Sequence, residues 1–421
     1  MKKIRSIKGT HDILPKDSYK WHQLESIVHD VCARFGYQEI RTPIFEESTL
    51  FSRSVGEESD IVTKEMYSWN DKSNTVLTLR PELTASVVRS YNQHNLGSLA
   101  PIQRFYYMGP LFRRERPQKG RQRQFHQFGV EAFGSKFAEQ EAETIAVAWH
   151  ILSKCGLTEN TTLLLNSIGT SECRSAYREA LKHFLEPHLN DLSETSRKRL
   201  HHNPLRILDT KNEKERSLLK DAPEIADYYS KDDKEHLEEV KDFLSAMDIP
   251  FTINPRLVRG LDYYTKTVFE ITSSDLGSQD ALLGGGRYDD LVENLGGKPT
   301  PGIGFAAGME RILLLINEKQ QKANKPSPDI YFICLEKSGL PDALSISNKL
   351  RMNGFKIISD SLRRSMKAQM RDANKSGAKY VLILGEKELS EKTILFKNLE
   401  NSHQKIIEQK KIIKFFDNLT N

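Results

Sequence analysis

From Ser18 to Phe35 the apolar residues Trp21, Leu24, Val28, Val31 and Phe35 recur at alternating spacings of three and four. That is one apolar stripe on a helix, and Gly36 stands where such a helix stops. "YQEIRTPIF" (37–45) follows as a strand ended by Pro43. The pattern predicts further strands at 76–80, 103–108 and 124–133, and a helix over 137–155. Between about 170 and 248 the chain is polar, helical in period and free of glycine-rich turns, which predicts an inserted helical module. Strand and glycine-loop character returns at 251–310, so a core closes around the insertion. "NEKQQKANKPSPD" (317–329) is a polar, proline-containing linker. Beyond it "DIYFICL", "FKIISD" and "KYVLILG" are buried-type strands separated by helical patterns, the signature of a small α/β unit with a parallel sheet. The expected domains are thus 1–325, interrupted by 170–248, and 326–421.

Composition narrows the class. A chain of 421 residues with 38% apolar content is long enough for two or three globular domains. Its first residues, "MKKIRSIKGTHDILP", contain no apolar secretion segment, and no apolar run approaches a bilayer span. The four cysteines, Cys32, Cys155, Cys173 and Cys334, are scattered without a CxxC pair, so neither a zinc site nor a redox pair is expected. A cytoplasmic protein without membrane attachment is the plain expectation. The net charge of +5 is unevenly spread: residues 328–421 hold 17 basic against 11 acidic residues, and the remainder 45 against 46. A basic C-terminal unit suits a nucleic-acid partner, though surface lysine alone would look the same.

Candidate chemistry concentrates in a few segments. "FRRERPQKGRQRQFHQFGVEAFG" (112–134) gathers Arg113, Arg114, Arg116, Arg121 and Arg123 in a Pro- and Gly-containing hairpin loop. These guanidinium groups suit phosphate, or else form a solvated basic surface. If 124–133 is a strand, Phe125, Gln127, Gly129, Glu131 and Phe133 share one face, and His126, Phe128, Val130 and Ala132 turn to the core. Gln127 and Glu131 would then stand ~13 Å apart and grip opposite ends of a small ligand, with Gly129 leaving it room. In "GIGFAAGMERILLLI" (302–316) a strand turns into a helix with Arg311 near its start. A cation there opposes the helix dipole by roughly 0.3–1 kcal/mol, so an anionic partner is implied unless Glu310 neutralises it.

"LVRGLDYYTKTVFEI" (257–271) adds Arg259 and the paired tyrosines Tyr263 and Tyr264; "LLGGGRYDDLV" (282–292) adds three glycines and Tyr288. Three glycines allow close ligand approach or simply a turn. In "LRPELTAS" (79–86), Pro81 opens a helix, and Glu82 and Thr84 present an acceptor pair or ordinary capping. No Walker loop, G-x-G-x-x-G, Ser-His-Asp order or HExxH is present. Arginines in place of a nucleophile point to phosphoryl or nucleotidyl transfer, run by positioning and charge neutralisation, commonly with Mg²⁺. The ligands implied are a nucleoside triphosphate and a small, partly cationic molecule.

Together these segments resemble the class II aminoacyl-tRNA synthetases. The stretch around "FRRE" is similar to their motif 2, "GIGFAAGMERILLLI" to motif 3, and "RTPIFEE" to motif 1, which builds the dimer interface. "KGTHDILP", "LVRGLDYYTKTVFE", "LLGGGRYDDLV" and "NPLRILDTKN" resemble segments peculiar to the histidyl-tRNA synthetase family, and the likeness runs essentially end to end. It implies an α+β catalytic core built on an antiparallel sheet with a helical insertion, plus a C-terminal α/β anticodon-binding domain. It implies ATP and L-histidine as substrates, with Mg²⁺ accompanying ATP, tRNA(His) as partner, and a homodimer.

Carried over residue by residue, Arg113 and Arg259 would neutralise the α-phosphate from opposite sides and act as the catalytic pair. Glu115 would lie near the adenine, Phe125 and Arg311 would sandwich it, and Arg121 with Arg311 would reach the terminal phosphates. Glu82, Thr84 and Gln127 would hold the histidine amino group, and Glu131, Tyr264 and Tyr288 would read its imidazole. Arg116, Gln118, Lys119 and Arg123 would face the tRNA acceptor stem. No metal ligands of the protein's own are implied. A non-aminoacylating regulatory paralogue of this core is the rival reading, but such paralogues lack the basic C-terminal domain and the full arginine set.

Overall fold

The computed structural model describes residues 3–57, 59–118, 120–277, 280–319 and 327–420. The chain divides into two compact units, Met1–Ala323 and Asn324–Asn421. Most of the linker expected at 317–329 lies outside the described residues.

The first unit is built on an eight-stranded sheet. Its strands are β1 (Gln38–Glu39), β5 (Gln103–Phe112), β6 (Gln124–Phe133), β7 (Thr161–Ser167), β8 (Thr252–Ile253), β9 (Thr265–Ser273), β10 (Ala281–Arg287) and β11 (Gly302–Gly308), and β2 (Phe45–Glu47), β3 (Tyr67–Asn70) and β4 (Val76–Leu79) form a separate three-stranded sheet. The large sheet runs β1-β5-β6-β11-β10-β9-β7-β8. Its six central strands are antiparallel, and only the two-residue edge strands β1 and β8 pair in parallel.

The strand expected at 37–45 is a correction. Only Gln38–Glu39 pair with β5, and the chain then breaks and rejoins the small sheet at Phe45. Pro43 lacks the amide a continuous ladder needs, and the buried Arg80 fills the gap by donating to the Thr42, Pro43 and Pro110 carbonyls.

Period-two alternation divides the large sheet's faces. Phe128, Val130 and Ala132 of β6 join Ile303 and Phe305 of β11 in one core, under the helices Pro15–Arg34, Ala138–Lys154 and Met309–Lys319. Leu24, Val28 and Val31 supply the stripe of the first of these, with Pro15 in its first turn. The opposite face carries Tyr107, Phe133, Tyr264 and Tyr288, packed with the helical segment Ser171–Ala246 through Tyr177, Leu181, Leu200 and Ile207. The candidate ligand-facing residues of β6 lie on this second face.

The second unit has a five-stranded sheet of β12 (Ile330–Cys334), β13 (Ile357–Ser359), β14 (Tyr380–Leu384), β15 (Thr393–Asn398) and β16 (Gln404–Glu408), in the order β13-β12-β14-β15-β16. The first three strands are parallel as the sequence implies, but β15 and β16 add an antiparallel hairpin, so the sheet is mixed. Ile330 and Phe332 face one helical layer and Tyr331 and Ile333 the other, which is why β12 is apolar throughout.

Candidate active site

The β5–β6 hairpin pairs out to Phe112 and Gln124, and Arg113 N–H donates to the Arg123 carbonyl at 2.9 Å. The loop 113–123 is pinned from two sides. Arg114 N–H donates to the Glu65 carbonyl and Arg123 N–H to that of Gly9, both at 2.7 Å, so the "KGTHDILP" segment lies against the loop base. Beneath the loop opens a cavity of about 850 Å³. Every residue that the resemblance assigns to ATP or histidine lines it, except Glu131.

At the arginine end, Arg113 donates to the Pro81 carbonyl at 2.9 Å and lies 5.3 Å over the Phe125 ring. Glu115 pairs with Arg121 at 3.0 Å and approaches Arg113 at 4.0 Å. Arg311 donates to the Gly120 carbonyl at 3.3 Å and the Ala281 carbonyl at 2.5 Å. Burial first, then the neighbouring Arg121 charge, pushes the Arg311 guanidinium pKa down, and Glu115 offsets this only in part. Glu310 does not neutralise Arg311. Its carboxylate accepts from the His126 backbone N–H at 2.9 Å and meets His126 Nδ1 at 3.0 Å, which also takes His126 out of the purely apolar core role expected for it. Phe125 and Arg311 line the same cavity, but it is Arg113 that touches the phenyl ring.

Arg259 enters from the 254–264 loop and pairs with Glu270 of β9. It packs over Gly284, where a Cβ would lie 2.2 Å from Arg259 Nη2. The glycine run of β10 therefore makes room for an arginine of the chain.

At the other end, Glu131 is fully buried. Its Oε1 accepts from Thr84 at 2.6 Å and Tyr107 at 3.0 Å, and its Oε2 from Tyr288. Burial pushes this carboxyl up to about 8, against the opposing effect of the three hydroxyl donors. Glu82 is also buried, which raises its carboxyl pKa, and it accepts from Ala85 N–H at 2.8 Å, capping the helix Thr84–Gln93. Pro81 lies ahead of that helix rather than inside its first turn. Tyr263 stacks at 4.6 Å on Tyr264 and 5.6 Å from Tyr288, forming an aromatic wall.

Gly129 corrects a second expectation. Its open side is filled by the Tyr107 ring, with a Cβ at 129 lying 2.5 Å from the Tyr107 hydroxyl. The glycine therefore seats a tyrosine that in turn holds Glu131. Tyr107 escaped the sequence reading, although β5–β6 register puts it directly opposite Gly129. A buried pair also went unread: Arg287 is held by Glu141 at 2.7 Å, and His236 meets Glu141 at 2.6 Å. Of the residues assigned to the acceptor stem, Arg116 and Gln118 are exposed on the loop, Arg123 is half-buried against Gly9, and Lys119 lies outside the described residues. Of the three that are described, Arg116, Gln118 and Arg123, none lines the cavity.

The arrangement can hold a triphosphate among arginines at one end and a small polar ligand between buried carboxyls and tyrosines at the other. Comparison with known proteins places the chain in a family. The family model described as "Histidyl-tRNA synthetase" matches residues 9–312, and an anticodon-binding-domain model matches 329–419. The chain is 45% identical to the histidine–tRNA ligase of Caldanaerobacter subterraneus subsp. tengcongensis, covering 94% of this chain and 95% of that one. It is 45% identical to that of Synechococcus sp. (strain JA-3-3Ab), covering 99% of each. The solved structure of the apo histidyl-tRNA synthetase of S. aureus superposes with a TM-score of 0.83 at 37% identity, over 98% of this chain and all of that one. This chain belongs to the histidyl-tRNA synthetase family.

Proposed function

We infer that this protein joins L-histidine to ATP, forming histidyl-adenylate and pyrophosphate, and then passes the histidyl group to the 3′ end of tRNA(His). The observation that carries the reading is the single cavity that joins an arginine cluster to a pocket backed by the buried Glu131. Arg113 and Arg259 neutralise the α-phosphate as the histidine carboxylate attacks phosphorus. The new P–O bond forms as the bond to the β-phosphate breaks, and the electron pair leaves with pyrophosphate. Arg121 and Arg311 hold the terminal phosphates, Phe125 and Glu115 the adenine. Glu82, Thr84 and Gln127 take the amino group.

Glu131, Tyr264 and Tyr288 select the imidazole. A ligand without the matching donor and acceptor forfeits its bonds to this buried polar cluster, which is how such a site rejects isosteres strongly. In the second step the terminal ribose hydroxyl attacks the acyl carbon and AMP leaves. Arg116, Gln118, Lys119 and Arg123 meet the incoming acceptor stem, and the basic unit 326–421 the anticodon arm. Mg²⁺ accompanies the triphosphate, whose phosphate oxygens are hard ligands suited to it.

The protein works as a cytoplasmic homodimer. Ile44, Phe45, Trp69 and Val76 leave apolar surface exposed around the small sheet, Phe45 by 52%, and a second copy would cover it. No helix among the described residues is long and apolar enough to cross a membrane. The test is charging of a tRNA(His) transcript with labelled histidine. Acid-precipitable histidine is expected with this transcript and not with a non-cognate one; charging of neither, by protein that binds ATP, would overturn the reading.

A further inference from the structure

The loop between β8 and β9 carries Arg259 and Tyr264 but contains no helix or strand. Its position therefore depends on side-chain tethers. Asn166 of β7 anchors the first half, donating to the carbonyls of Pro255 at 3.2 Å and Leu257 at 3.0 Å. The second half is tethered by the helical segment. Arg174 of the helix Ser171–Leu185 donates to the Tyr264 carbonyl. Asn203, at the end of the helix Glu194–His202, donates to Asp262 Oδ1 at 2.7 Å. The same segment reaches the arginine hairpin indirectly. Arg206 and Arg199 approach Asp60 at 3.5 and 3.8 Å, and the turn that follows Asp60 ends at Glu65, whose carbonyl accepts from Arg114 N–H.

These contacts lie around a cleft of about 840 Å³ on the helical side, and Arg259 and Tyr264 wall both this cleft and the active-site cavity. Both loops bearing α-phosphate arginines are thus tied to one helical module. A charged donor on a main-chain carbonyl is a directional and strong tether, and a displacement of about 1 Å at a reacting group costs up to ~100-fold in rate.

We propose that Arg174 and Asn203 are positioning residues for histidine activation: they hold residues 259–264 so that Arg259 meets the α-phosphate and Tyr264 the imidazole. The helical segment then serves the step that involves no tRNA, a claim that rests on the reading under Proposed function. The test is histidine-dependent ATP–pyrophosphate exchange without tRNA, on the full chain, for wild type, Arg174→Ala, Arg174→Lys and Asn203→Ala, with thermal melts alongside. Both alanine variants are expected to lose about tenfold or more in kcat at an unchanged KM for ATP and an unchanged melting temperature. Arg174→Lys, which keeps a cationic donor for the same carbonyl but not the planar fork, is expected to fall between alanine and wild type in kcat. Alanine variants that exchange at the wild-type rate would overturn the proposal. So would losses that track a lower melting temperature with lysine no better than alanine. Wild type that fails to exchange with histidine would remove the parent reading, and the proposal with it.

Discussion

Glu131 shows what a single buried carboxyl costs and contributes. Burial holds its pKa at about 8 in the folded chain, against about 4.3 when solvated. The folded state therefore binds the proton more tightly than the unfolded one. Stability tied to this group is complete below about pH 4 and is lost as pH rises to about 8. Glu131→Gln keeps the shape and removes the titration. Thermal melts should show it gaining on wild type between pH 5 and pH 8, by on the order of a few kcal/mol at the upper end, while histidine-dependent activity disappears. A variant that instead loses ground as pH rises would contradict this placement of the proton.

Among the elements, strand β6 was the most legible in sequence. Its alternation put Gln127 and Glu131 on one face and Phe128, Val130 and Ala132 on the other, as the two cores have them. Alternation names a face, however, and not the neighbour across it. Tyr107 is 24 residues from Glu131 and Tyr288 is 157 away; contacts at such separations leave no local signal. For the same reason Gly129 read as open space, and Arg287, beside Tyr288, showed no sign of its buried partner. The strand read as ended by Pro43 proved shorter, stopping at Glu39, because a β-rich run names a strand but not how far its ladder extends.

The Glu141–Arg287 pair ties the helix Ala138–Lys154 to the end of β10, next to Tyr288. Burial raises the Glu141 pKa, but Arg287 and His236 outweigh it and hold the carboxyl at about 2. Its contribution is present above about pH 4 and is lost as pH falls toward 2. Glu141→Ala removes one of the two carboxylates that pair with the buried guanidinium and leaves Asp289 at 2.9 Å, so urea unfolding at pH 7 should show a loss of about 1.5–3 kcal/mol. A loss below about 1 kcal/mol would mean that water reaches Arg287 in the variant.

For the molecule as a whole, the exposed apolar residues of the small sheet and the shared cavity make separable claims. Trp69→Glu should convert a dimer to monomers in sedimentation velocity. An unchanged dimer would place the interface elsewhere. The central claim, that one cavity activates histidine, is tested most directly by ATP–pyrophosphate exchange with each of the twenty amino acids in turn, using wild type, Arg259→Ala and Glu131→Ala. The account predicts exchange with histidine alone, reduced by about 10²–10³ in kcat in Arg259→Ala and nearly lost in Glu131→Ala. Folded, ATP-binding protein that exchanges with no amino acid, or equally well with several, would contradict it.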